Sequence, residues 1–84
     1  MIGDDKLLND ITIEVARARK LFPSNEFMFP ALIEEVGELA KALMTESADR
    51  IRAEAIQVAC VAFRIASEGD TDITNRRFIR GVQL

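Results

Sequence analysis

Apolar side chains recur along this chain at helical spacing, and no stretch shows the alternation of a half-buried strand. Leu7, Leu8, Ile11, Val15, Ala18 and Phe22 keep the i, i+4, i+7 rhythm of one helix face. Asp4 or Asp5 can cap its start and suits the positive end of the helix dipole. Pro23 ends the pattern, so a first helix is expected over about residues 5–21. The next stretch, 22–29, holds the turn formers Pro23, Ser24 and Asn25 together with Phe22, Phe27 and Phe29. Pro30 fits the first turn of a new helix, where its missing N–H is not needed.

A second helix is expected over about residues 30–44, with Leu32, Val36, Leu39 and Leu43 as its apolar stripe, widened by Ile33 and Ala40. Gly37 inside it costs roughly 1 kcal/mol relative to Ala. The connection 45–49 is short, which makes the second and third helices antiparallel neighbours. Ser47 or Asp49 can cap the third helix, expected over 48–68, and Gly69 stops it. Its apolar residues fall on two nearly opposite faces: Ile51, Ala55, Val58, Ala62 and Ile65 on one, and Ile56, Cys60 and Phe63 on the other. A helix apolar around most of its circumference is buried on several sides. The expected fold is therefore all-α: an antiparallel helical hairpin plus an N-terminal helix, completing a four-helix-type bundle by oligomerisation as a homodimer or dimer of dimers. Residues 70–84 carry capping residues and a few apolar positions, enough for a short helix at most.

Length and composition narrow the chemistry. The 84 residues make one domain, 49% hydrophobic, with net charge −3. That charge lacks the basic surface of a nonspecific nucleic-acid binder. The one basic cluster, Arg76, Arg77 and Arg80, reads first as a solvated face or tail. A single cysteine, Cys60, excludes an internal disulfide, and with no histidine a zinc site is out. A metal here has to be held by oxygen, which selects Mg²⁺ or Mn²⁺. No apolar stretch is long enough to span a bilayer, and the charged start is not a signal peptide, so a cytoplasmic protein without membrane contact is expected.

The carboxylates are the unusual feature. Glu34, Glu35 and Glu38 crowd adjacent turns of one helix, where like charges repel by a few tenths of a kcal/mol per pair. At about 100° per residue, Glu35 lies about 80° from the centre of the apolar stripe, Glu38 about 140°, and Glu34 on the far side. Glu54 falls inside the apolar stripe of the third helix, where a lone carboxylate needs a cation or hydrogen-bond partners. The antiparallel hairpin can bring Glu35 and Glu38 opposite Glu54 and Gln57. The plainer alternative for Glu54 is a salt bridge to Arg50, Lys41 or Arg64.

The segment 34–43 (EEVGELAKAL) followed by Glu54 resembles the MazG-like, all-α nucleoside triphosphate pyrophosphohydrolase superfamily, whose motif is EExxE, a spacer, then ExxD. Fifteen residues separate Glu38 from Glu54, as that spacer requires. The resemblance covers the second and third helices, takes in the first in outline, and fades after Asp70. It implies hydrolysis of (d)NTPs, canonical or modified, to the monophosphate and pyrophosphate. It implies Mg²⁺ or Mn²⁺ held by Glu35, Glu38 and Glu54 with Glu34, one glutamate or a second ion activating the attacking water. The chain departs at the last motif position, where Gln57 stands for Asp. An amide oxygen still ligates Mg²⁺ but brings no charge. Lys41 and Arg64 are candidate phosphate contacts, with surface ion pairing as their plainer role. Phe22, Phe27 and Phe29 could offer a flat surface to the base, with ordinary packing as theirs. The competing readings are a catalytically weakened or inactive module that binds nucleotide or a protein partner, and a purely structural helical dimer.

Overall fold

The structure, a computed structural model, describes residues 2–73. Three helices carry the fold: α1 (Ile2–Leu21), α2 (Met28–Thr45) and α3 (Ala48–Glu68), and no strand occurs among the described residues. The basic cluster at residues 76–80 and most of the expected short helix lie outside the described residues. Residues 71–73 form a helical turn.

α1 begins three residues before the expected start, so Asp4 and Asp5 sit in its first turn rather than capping it, with Arg19 and Lys20 in its last. Both ends match the helix dipole. α3 runs over the expected residues. Ser47 accepts a hydrogen bond from the Arg50 N–H at 3.3 Å, and Gly69, at φ 73°, closes the other end by donating its N–H to the Ile65 carbonyl. The α2 start differs from expectation by two residues, and the cause is non-local. Its N-cap residue, Phe27, has no capping side chain and adopts a left-handed φ of 62°. Asp70, far along the chain, supplies the cap: its Oδ2 accepts from the Phe29 N–H at 2.7 Å, while its Oδ1 accepts from the Ile73 N–H at 3.1 Å.

α3 is the central element and packs against both other helices, more extensively against α2. Arg52 reaches Asp10 at 2.7 Å and Arg19 reaches Glu68 at 2.9 Å, so α1 and α3 run parallel, with α2 antiparallel to both. All three helices feed a small core of Val15, Met28, Ala42, Ile56 and Cys60.

Two expectations about faces need correction. α2 does not bury the stripe centred on Val36. Met28 and Ala42 are buried, Leu32, Glu35 and Leu39 are half-buried, and Ile33, Val36, Ala40 and Leu43 are exposed. The helix is turned by about 50° from the expected orientation, at 100° per residue, which carries Glu35 almost to the centre of the inner face. α3 is not buried on all sides either: Ala55, Ala62 and Phe63 face outward. Among the apolar surface left exposed, Phe29, Ile33, Val36, Ala40 and Leu43 form a continuous outer stripe on α2.

Candidate functional site

α1 and α2 flank α3 without closing over it, leaving a cleft of about 710 Å³. Its floor is Gln57, Cys60, Val61 and Arg64 of α3; its walls are Glu14–Leu21 of α1 and Met28–Glu35 of α2. At one end stands the connecting loop with Phe22 and Phe27. At the other, about 10 Å along α2 at 1.5 Å per residue, stand Glu14, Glu35 and Gln57.

The loop is pinned to the end of α3. The Asn25 amide donates to the Glu68 carbonyl at 2.8 Å, and Arg64 donates to the Ser24 carbonyl at 3.3 Å. Thr71 donates to the Asn25 side-chain oxygen at 2.6 Å. These bonds hold Phe22 and Phe27 at the rim with 67% and 59% of their surface exposed, so their rings face solvent and the cleft rather than a core. Phe29 is also exposed but stands outside the cleft lining.

At the acidic end, the half-buried Glu35 carboxyl is pushed above its ordinary range. Desolvation is the largest cause, followed by the negative charges of Glu54, Glu34, Glu38 and Glu14. The four expected glutamates thus share one field. They are not equally placed. Glu34 lines the cleft beside Glu35, although the wheel geometry put it on the far side; Glu34 and Glu38 are exposed, and Glu38 stands outside the cleft lining. Glu54 is buried, as its place in the apolar stripe implied, and the side chain that answers its charge is Arg50, one turn earlier. Arg50 also bonds Glu46 at 3.1 Å, and its guanidinium is held more basic by the Glu46 bond first, then by Glu54 and Glu38. Among the described residues, no three acidic or thiol side chains are gathered into a ready cage for an ion. The donor set is nonetheless hard oxygen throughout, the chemistry that Mg²⁺ and Mn²⁺ take.

The candidate phosphate contacts fare differently. Arg64 lines the floor but is only 3% exposed, and its guanidinium is engaged by Glu68 at 3.0 and 3.2 Å and by the Ser24 carbonyl. Lys41 is exposed and stands outside the cleft lining. Two residues that the sequence did not single out do line the cleft: Glu14 and Arg17 of α1. Arg17 forks onto Glu14 at 3.0 and 3.2 Å. The Glu14 carboxyl is held below its ordinary range by Arg17 first and by a hydrogen bond from Gln57 second. The spacing Glu14–Arg17 was visible in the sequence as a helical i, i+3 pair, but nothing local says that it faces Gln57.

No family model, curated protein or solved structure matches this chain.

Proposed function

We propose that the chain hydrolyses nucleoside triphosphates, canonical or modified, to the monophosphate and pyrophosphate, with Mg²⁺ or Mn²⁺ beside the acidic end of the cleft. The observation that carries the reading is the setting of Glu35. A half-buried carboxylate in the field of four further glutamates on three helices is a concentration of negative charge that a divalent cation relieves. The motif resemblance over Glu34, Glu35, Glu38 and Glu54 supports the same end of the cleft.

In this reading Glu35, Glu38 and Glu54 hold the ion, with Glu34 beside them and the amide oxygen of Gln57 as a neutral fifth donor. To take part, Glu54 would give up its pairing with Arg50. When bound, the ion neutralises charge on the phosphate oxygens and supports activation of the attacking water. Phe22 and Phe27, at the opposite end, flank the base. The outer apolar stripe of α2 supports a homodimer or dimer of dimers, since Ile33, Val36 and Leu43 are each 45–62% exposed in the single chain. This moves the oligomerisation surface from α3, where the sequence placed it, to α2.

The test is pyrophosphate release from a panel of canonical and modified NTPs and dNTPs with Mg²⁺ or Mn²⁺. Release abolished by Glu38→Gln and Glu54→Gln is expected; no release from any nucleotide in the panel sinks the reading. The Arg50–Glu54 pair, together with Gln57, favours a second reading, a module that binds nucleotide or a protein partner without turnover. Calorimetric nucleotide binding with no pyrophosphate release, and release switched on by Gln57→Asp, would select it.

A further inference from the structure

A triphosphate entering this cleft meets acid on most sides: Glu14, Glu26, Glu34 and Glu35 against Arg17 and Arg64. Arg64 is buried and spends three of its five N–H donors on Glu68 and the loop carbonyl. Arg17 differs from it in two respects. Its side chain is 59% exposed, and the fork to Glu14 takes Nε–H and one N–H of Nη2. A guanidinium has five N–H donors, so three remain for an incoming anion. Gln57 lies on the floor at the same end of the cleft as Glu14, which anchors Arg17.

Resting on the nucleotide reading above, we infer that Arg17 grips the phosphate chain of the bound nucleotide, and that Gln57 and Glu14 are positioning residues that aim it. The departure from the motif then has a physical reason. An aspartate at position 57 would set a second carboxylate against Glu14 and push it, with Arg17, away from the floor. The neutral amide adds no such charge beside Glu14. One charge is lost on the metal side of the site, and one cation is aimed at the substrate side. A fork of this geometry suits phosphate oxygens better than an ammonium does.

Titration calorimetry on the full chain separates the outcomes, using sodium tripolyphosphate in saturating Mg²⁺ and, separately, Mn²⁺ alone. Arg17→Gln is expected to weaken tripolyphosphate about tenfold and leave Mn²⁺ binding unchanged, with Arg17→Lys recovering part of the loss. Glu14→Gln, which keeps the guanidinium and removes its charged anchor, falls between Arg17→Gln and the parent chain. Arg52→Gln makes the same charge change outside the cleft, where Arg52 pairs with Asp10, and leaves tripolyphosphate binding unchanged. Equal loss in Arg17→Gln and Arg52→Gln, or no loss in Arg17→Gln, overturns the assignment. A parent chain that binds Mn²⁺ but not tripolyphosphate overturns it while sparing the metal site; one that binds neither removes both.

Discussion

The charged side chains of this protein fall into two groups that answer differently to substitution. Glu68 belongs to the structural group. Its carboxyl is held below the ordinary range by Arg64 first and Arg19 second, and Arg64 is buried. Glu68→Gln leaves that guanidinium short of its counter-charge, at a cost of about 2–3 kcal/mol near neutral pH. A group whose folded pKa is depressed stabilises above its unfolded value and loses that contribution as pH falls through the folded one. The gap in urea midpoint between the parent and Glu68→Gln should therefore be widest near pH 7 and close in acid, below the ordinary carboxylate value of 4.5. Glu35 belongs, in the proposed reading, to the functional group. It sits desolvated among like charges, so Glu35→Gln should raise thermal stability without metal, by up to about 1 kcal/mol, while removing Mn²⁺ binding. Lower stability in that variant would mean that the carboxylate has a structural partner. The proposed reading gives Phe27 a place at the nucleotide as well. A bulky side chain at φ 62° costs about 1 kcal/mol or more, so Phe27→Gly should hold or gain stability in a thermal melt and lose nucleotide affinity in calorimetry.

At the scale of the elements, the local signals were strong wherever a helix ends on its own residues. α3 could be read residue for residue because Ser47 and Gly69 are adjacent to what they cap. The start of α2 could not, because its cap is Asp70, brought back by the fold. The orientation of α2 was also hidden. Its apolar residues cover two adjoining arcs of the helix, and periodicity alone does not say which arc meets α3 and which stays outside. The same ambiguity blurred the site: with α2 turned, Glu35 moves inward and Glu34 moves onto the cleft wall, while Glu38 does not line it. Glu54 was legible because a carboxylate in an apolar stripe is conspicuous in any orientation. Glu14 and Arg17 were not, because the i, i+3 pair they form is common on solvated helix faces. Asp70→Ala should cost about 1–2 kcal/mol, seen as a lower melting temperature, with amide exchange quickening first at the start of α2.

At the scale of the molecule, the decisive fact is that, among the described residues, the three helices leave part of their apolar surface exposed. The outer stripe of α2 repeats at spacings of four and three residues from Phe29 through Leu43, the seam that helix-on-helix packing uses. Placing a charge at its centre, Val36→Glu, should convert a dimer or tetramer to a folded monomer in sedimentation equilibrium, with far-UV helicity retained. A parent chain that is already monomeric at high concentration would remove the dimer proposal. The double role of Asp70 bears on how the chain completes itself. The first N–H groups of a helix ordinarily exchange with water early, since no carbonyl within the helix accepts them. Phe29 is one of those groups, yet its acceptor is a carboxylate that arrives only after α3 is finished. During synthesis, α2 therefore emerges with its first turn unprotected and is closed last, by a segment made after everything it caps. The exchange rate of this single amide proton is a clock for tertiary closure rather than for the helix that contains it.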